Sequence, residues 1–159
     1  MKFSLAAIAG FASAVAGVGL PSAFTLVADG GKTVLTDGNN LWIGANSTTH
    51  EIAILRSGEN GAVSFTSKNG VPTAFQSLYV IDKEVSPVGL TIPHSGATPK
   101  GASTTGFGQT PKGYFSWEGK TWFSIDGYGE AKEKEIFWYG AHNAEYASVN
   151  LWVKECKGC

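Results

Sequence analysis

The chain has 159 residues, with 12 Lys and Arg against 13 Asp and Glu, so its formal net charge is −1. Nucleic acids and anionic membranes need a local excess of basic residues in their partners. With its only Arg at Arg56 and no basic cluster, the sequence argues against both partner classes. The length suffices for one domain with a sizeable core and is too short for two.

The first element along the chain has the pattern of a secretory leader. Lys2 supplies a positive n-region, residues 3–20 are uncharged and mostly apolar, and small residues allow cleavage after Ala16 or after Ala23. A membrane anchor would need about 20 strongly apolar residues, whereas Gly, Ser and Ala dilute this stretch. We predict a signal peptide over residues 1–23, an extracellular location, and a single domain over residues 24–159.

The remaining sequence has the pattern of an all-β domain. Gly, Pro, Asn, Asp and Ser recur every 8 to 12 residues and separate short runs rich in β-branched and aromatic residues. The predicted strands lie near Phe24–Ala28, Thr33–Thr36, Leu41–Ala45, Glu51–Arg56, Ala62–Ser67, Ser77–Ile81, Gly89–Ile92, Tyr114–Trp117, Thr121–Ile125, Glu135–Tyr139 and Ser148–Lys154.

About 11 short antiparallel strands favour a compact β-sandwich or a closed barrel. A β-trefoil is the alternative, because three repeats of four strands would need about this length. Pro93–Lys112 carries no strand pattern and is predicted to be a long surface loop, which in compact domains is often functional. The charged segment Gly129–Glu135 is predicted to be a solvated connection or a single helical turn.

The sequence contains no recognisable catalytic or metal-binding motif. His50, His94 and His142 are isolated and share no metal-ligand spacing. A nucleophile elbow and a phosphate-binding glycine loop are also missing, so no enzyme activity and no cofactor are predicted. A carboxylate pair such as Glu118 and Asp126 leaves a small glycan hydrolase open, since that mechanism requires two carboxyl groups about 5–9 Å apart.

Five Trp residues are the most informative side chains. Strand alternation places Trp42, Trp122 and Trp152 on the more polar faces of their strands, opposite the runs of Leu, Ile, Val and Phe. Trp117 and Trp138 are predicted to lie in the core. An exposed Trp can stack on the apolar face of a sugar or enter a partner's pocket. Trp42, Trp122 and Trp152 are therefore candidate glycan or partner contacts, although covering the domain surface without a ligand is the simpler role.

Two further features concern covalent chemistry. Asn46-Ser47-Thr48 is an N-glycosylation sequon at the end of a predicted strand. Cys156 and Cys159 lie within the last four residues, where a disulfide between them would restrain little of the chain. A redox role for this spacing would need a helix N-terminus, so we expect a local or an intermolecular disulfide.

The stretch between His94 and Phe123 resembles the secreted fungal cell-wall proteins of the PhiA type, some of which are IgE-binding. Distinctive are Gly-Ala-Thr-Pro-Lys-Gly-Ala at residues 96–102 and Thr-Gly-Phe at residues 105–107. The resemblance implies a non-enzymatic protein of the hyphal or conidial wall, linked to spore-bearing cells and often antigenic. Relatives commonly carry a Cys where this chain has Ser124, so the family disulfide is not carried over.

Leader and resemblance together predict a secreted, non-enzymatic, wall-associated fungal protein whose partners are wall polysaccharides or wall proteins. One alternative is a secreted effector or carbohydrate-binding module that contacts glycans through exposed Trp side chains. A small glycan hydrolase is the second alternative.

Overall fold

A computed structural model describes residues 19–159, apart from the side chain of Ala141. Residues 1–18, which include most of the apolar stretch of the leader and the cleavage position after Ala16, lie outside the described part. The described part is all-β and contains, besides two short 3₁₀ turns at Glu59–Gly61 and Gly140–His142, only strands and their connections.

Eighteen short strands occur within residues 19–159. They are β1 (Ala23–Ala28), β2 (Lys32–Thr33), β3 (Leu35–Thr36), β4 (Leu41–Ile43), β5 (Glu51–Ile52), β6 (Leu55–Ser57), β7 (Val63–Phe65), β8 (Gln76–Ile81), β9 (Ser86–Pro87), β10 (Gly89–Leu90), β11 (Ala102–Ser103), β12 (Phe107–Gln109), β13 (Phe115–Trp117), β14 (Phe123–Asp126), β15 (Lys134–Glu135), β16 (Phe137–Trp138), β17 (Tyr146–Ser148) and β18 (Leu151–Glu155).

These strands pair antiparallel in four sheets. The largest has eight strands in the order β10-β8-β7-β6-β1-β18, with β11 also on β8 and β2 also on β1. Two four-stranded sheets have the orders β17-β14-β16-β9 and β15-β4-β3-β5, and β12 pairs with β13. The first and last strands of the domain are therefore neighbours, with Phe24 opposite Glu155 and Ala28 opposite Leu151.

Alternation of apolar and polar residues determines which face of each strand enters the core. In β8 the side chains of Gln76, Leu78 and Val80 are buried, and the residues between them are half-buried. In β1, Phe24 and Leu26 are completely buried. Successive strand residues point to opposite faces, so each strand contributes every second side chain to the core.

The chain passes from one sheet to another at single buried residues. Val34 lies between β2 and β3; its N–H donates to Leu26 O in the large sheet, and its carbonyl accepts from Ala53 N–H. Ile136, between β15 and β16, similarly donates to Leu41 O and accepts from Val88 N–H. Because such a residue bonds to two different partners, one apolar run becomes two short strands.

Aromatic rings fill the centre where the sheets meet. Phe115 of β13 is completely buried and lies 5.5 Å from the ring of Phe107 in β12, 5.5 Å from Phe123 in β14 and 6.0 Å from Phe24 in β1, between centroids. Trp138 is also completely buried and packs edge-on against Phe123 at 5.0 Å. The ring cluster joins three of the four sheets.

Two sequence predictions about the elements need correction. The prediction that Pro93–Lys112 lacks strands is wrong, because Ala102–Ser103 pairs with β8 and Phe107–Gln109 pairs with β13. Phe107 is 5% exposed, and Gly106 allows the turn before it with φ of 93°. The predicted strand number of about 11 is lower than the number of short strands observed. Buried residues that bond to two sheets, such as Val34 and Ile136, divide predicted runs into two strands; we call them corner residues. The predicted solvated connection is confirmed over residues 129–133, which are exposed, and the chain then enters β15.

Candidate functional site

The three Trp residues predicted to be exposed lie in different parts of the fold. Trp152 is in β18 of the eight-stranded sheet, Trp42 is in β4 of a four-stranded sheet, and Trp122 directly precedes β14. The structure therefore does not bring them together as one platform. Each of them has its own surroundings, and these differ in how much ring surface stays accessible.

Trp152 presents the most accessible of these three rings. It keeps 41% of its surface exposed, and its ring packs on Tyr114 with centroids 4.2 Å apart and planes tilted by 47°. A backbone bridge joins the same two residues. Trp152 is also opposite Val27, which is opposite Thr33, so these side chains share one face of the sheet. We call Trp152, Tyr114, Val27 and Thr33 the Trp152 platform.

The local sequence explains this orientation. Leu151 is buried and Val153 packs against the core, so the intervening Trp152 must point to the opposite face. Lys154 shares that outward face and is exposed. A half-exposed indole beside a phenol and an ammonium can cover the apolar face of a pyranose ring while donating hydrogen bonds at its edge.

Trp42 forms part of a row that crosses the outer face of the second sheet. Glu135 is opposite Trp42, Trp42 is opposite Leu35, and Leu35 is opposite Ile52. Four neighbouring strands at about 4.8 Å spacing make this row about 14 Å long. We call these four side chains the Trp42 row. Ile52 is 50% exposed, and the other three side chains of the row are half-buried. Since three of the four are apolar and all lie on a strand face, the row offers a flat and mainly apolar surface.

Two carboxyl groups of opposite pKa shift flank Trp42. Burial, and then the negative charge of Asp37, raise the pKa of Glu135. Partial burial raises the pKa of Asp37, whereas hydrogen bonds from Asn40 N–H and Asn39 N–H, both 2.8 Å long, lower it, and the net pKa is lowered.

The Trp42 indole N–H and the His50 charge lower the pKa of Asp37 further. The His50 ring meets Trp42 edge-on at 5.7 Å. Trp42 Nε1 is buried, and its approach to Asp37 falls short of hydrogen-bond geometry, so this N–H has no acceptor among the described residues. The arrangement places one readily ionised carboxyl group and one weaker acid beside an aromatic ring.

Trp122 is half-buried, and neighbouring side chains lie against its ring. His142 meets its ring edge-on at 4.6 Å, Tyr139 does so at 5.6 Å, and Lys120 Nζ lies 4.4 Å from its centroid. Tyr139 has φ of 64°, which lets the following 3₁₀ turn place His142 over the indole. A sugar could stack on Trp122 only after displacing one of these groups.

The carboxylates suggested by the sequence as a hydrolase pair border different depressions. Glu118 lies at the turn beside a glycine-lined groove of about 590 Å³, which Gly19 and Leu20 also line. Asp126 borders a basin of about 600 Å³ with Tyr128 and Tyr146. The structure does not bring these two carboxylates into one site.

Asp126 closes the tight turn that its sequence predicts. Its carboxylate accepts the N–H groups of Tyr128 and Gly129, each at 3.0 Å, and these bonds lower its pKa. Lys134 adds a favourable charge and donates to Gly129 O. Within residues 19–159, no group of three or more His, Cys, Asp or Glu has an arrangement that could hold a metal ion.

The two covalent features lie at the surface. Asn46 is exposed in the turn between β4 and β5, where its side-chain oxygen accepts from the N–H and hydroxyl of Thr48 at 2.9 Å each. Cys156 and Cys159 form a disulfide with Cα atoms 5.6 Å apart. Arg56 donates to Cys159 O at 2.9 Å, which attaches this end of the chain to β6.

Sequence reasoning missed Tyr114, Asp37, Glu135 and His50 as neighbours of the candidate Trp side chains. Glu135 reaches Trp42 through a strand pairing that spans over 90 positions, and Tyr114 reaches Trp152 through a bridge between distant segments. No local pattern encodes such pairings. A signal for the pairing of β4 with β15 would have been needed to find Glu135, and a signal for the bridge to Trp152 would have been needed to find Tyr114.

No family model, curated protein or solved structure matches the chain. Within residues 19–159, no helix has the length and apolar character needed to cross a membrane.

Proposed function

We propose that this chain is a secreted, non-enzymatic protein of the fungal cell wall that contacts wall polysaccharide through the Trp152 platform. The observation that carries the contact is a Trp ring with 41% of its surface exposed, held on Tyr114 at the outer face of a sheet. Export rests on the leader pattern in residues 1–23. The fungal wall, and a role in hyphal or conidial wall structure or development, rest on the resemblance to PhiA-type proteins.

The geometry supports stacking on a polymer more than enclosure of a small molecule. A strand face is flat, and the Trp152 platform extends over β18, β1 and β2 in register. Aromatic stacking on a sugar buries apolar C–H surface without needing a deep cavity. The Trp42 row, with its exposed Ile52 and its flanking carboxyl groups, is a second flat surface of the same kind.

The architecture proposed for this function is a β-sandwich or closed barrel. Support comes from strands that leave one sheet and enter another at the buried residues Val34 and Ile136, as at the corners of packed sheets. The β-trefoil stays an alternative. Either architecture exposes sheet faces for contact with a polymer.

A secreted effector or carbohydrate-binding module acting on another organism's surface would use the same Trp152 platform. Location distinguishes it from a wall protein. Supernatant, detergent- and salt-extractable wall, and covalent wall of the producing fungus should be separated and the protein quantified by mass spectrometry. We expect most of it in the wall fractions. Recovery mainly from the supernatant would favour the effector.

Glycan contact is tested by sedimentation with insoluble β-glucan, chitin and mannan. We expect the wild-type chain to sediment with at least one of them and Trp152→Ala to lose most of that binding. Phe75→Ala is the matched control, because Phe75 is an aromatic residue with 58% exposure outside the platform. Equal sedimentation of wild-type and Trp152→Ala chains would contradict the proposed contact.

A small glycan hydrolase has one specific observation in its favour. Asp37 and Glu135 have pKa values shifted in opposite directions beside Trp42, which is how paired carboxyl groups acquire separate acid and base roles. Release of reducing ends from soluble glucan or chitin oligomers, abolished by Glu135→Gln, would establish this activity. Absence of release would favour the non-enzymatic function.

A further inference from the structure

Residues 19–22, which one of the two candidate leader cleavages would remove, are integrated into the fold. Gly19 O accepts the side-chain amide of Gln109 at 2.9 Å. Leu20 packs against the hydrophobic core, and Ser22 O accepts Ser57 N–H at 3.2 Å. These contacts extend the edge beside β6 and complete one wall of the glycine-lined groove. A chain cut after Ala23 would lack all of them.

Ala23 itself is the first residue of β1. It is 5% exposed and opposite Arg56 in β6. Its carbonyl accepts Cys156 N–H at 2.9 Å, which attaches the disulfide segment to the first strand. Cleavage after Ala23 would remove this acceptor, so the Cys156 N–H would lose its hydrogen bond.

Phe24 would become the first residue of a chain cut at that point. Phe24 is completely buried, with its ring 6.0 Å from that of Phe115. A free α-amino group has a pKa of about 8 and is mainly cationic at neutral pH. Cleavage after Ala23 would place that charge at the first position of a chain whose ring belongs in the core, where burying it would be unfavourable. An N-terminus at Phe24 therefore adds a cost to the contacts that the cut removes.

We propose that the mature protein begins at Gly17, after hydrolysis of the Ala16–Gly17 peptide bond. This inference rests on the proposed export. Water cleaves the C–N bond, leaving a carboxylate on Ala16 and an ammonium group on Gly17. Ala14 and Ala16 supply the small residues that leader peptidases need at the third and first positions before the cut. Residues 17–23, counted within the leader by the sequence prediction, then belong to the mature domain.

The direct test is to express residues 1–159 in a secreting yeast and determine the N-terminus of the secreted protein by sequencing and intact mass. The expected first residue is Gly17, and any other first residue overturns the assignment. Ala16→Leu should abolish the start at Gly17. Ala12→Leu, the same change outside the recognised positions, should preserve it. Persistence of the Gly17 start in Ala16→Leu would also overturn the assignment.

A second test does not depend on export. Chains that begin at Gly17, Gly19 or Phe24 should be released from a fusion partner by a protease that leaves no extra residue, and compared by thermal unfolding. The Gly17 and Gly19 chains should melt together, and the Phe24 chain about 10 °C lower or without a cooperative transition. Equal melting of all three would refute the structural reasoning. Retention of the full precursor inside the cell would instead contradict the proposed function.

Discussion

Replacing Phe115 with Ala tests whether the buried ring cluster holds the sheets together. Phe115 is completely buried, and its ring contacts those of Phe107, Phe123 and Phe24, which belong to three other strands. Truncating a buried Phe to Ala costs about 3–5 kcal/mol, through lost burial and the cavity that remains. Each aromatic pair contributes about 0.5–1.5 kcal/mol more than its buried area. We therefore expect a loss at the upper end, about 4–5 kcal/mol.

That loss is a large share of the roughly 5–15 kcal/mol by which domains are stable. Urea unfolding followed by Trp fluorescence should show the midpoint about 2 M lower, since m is about 1–3 kcal/mol/M. Phe75→Ala, an aromatic truncation at a 58% exposed position, should change stability by less than about 0.5 kcal/mol. A Phe115→Ala loss below about 1.5 kcal/mol would refute the central role of this cluster.

Two other substitutions probe buried polar groups. Ser124 is completely buried with no hydrogen-bond partner for its hydroxyl among the described residues, so Ser124→Ala should raise the unfolding free energy by about 1 kcal/mol; a loss in urea unfolding would show that the hydroxyl is satisfied. Folding raises the pKa of Glu135, so the ionised carboxylate destabilises the folded state at pH values above this raised pKa. As the pH falls through the raised pKa towards 4.5, Glu135 becomes protonated in the folded state and the free energy of unfolding of the wild type increases. Glu135→Gln should therefore be more stable than wild type at pH 7, with the difference shrinking near pH 4.5; a difference independent of pH would contradict the assignment.

Much of the fold is encoded locally, and the sheet order is not. The sequence pattern located β1, β8 and β13 to within one residue, because β1 and β8 bury mainly every second side chain and β13 is a short aromatic run bounded by turn residues. It also placed Trp117 and Trp138 in the core, where they are 7% and 0% exposed. Alternation missed β9, whose Pro87 pairs with Phe137, and β11, which has only two residues. Strands this short have no periodicity of their own and exist because a distant partner offers hydrogen bonds.

At corner residues, too, the local sequence does not encode which strands pair. The run Glu135–Tyr139 looks like one strand, yet Ile136 bonds to Leu41 and Val88 while its neighbours pair with different sheets. An apolar run predicts burial correctly at such a position. It carries no information on which sheet accepts each N–H, because that depends on segments nearly 50 and 100 positions away.

Trp122 and Trp152 make the corresponding argument for the candidate site. The same alternation rule assigned both to polar faces, yet their accessibility differs for reasons outside their own strands. His142 and Lys120 lie against the Trp122 ring, whereas Trp152 keeps 41% of its surface and rests on Tyr114. Orientation is therefore readable from a strand, but exposure is decided by what the rest of the chain places above it. These surroundings support a contact role for Trp152 much more than for Trp122. Trp152→Ala should therefore lose more polysaccharide binding than Trp122→Ala.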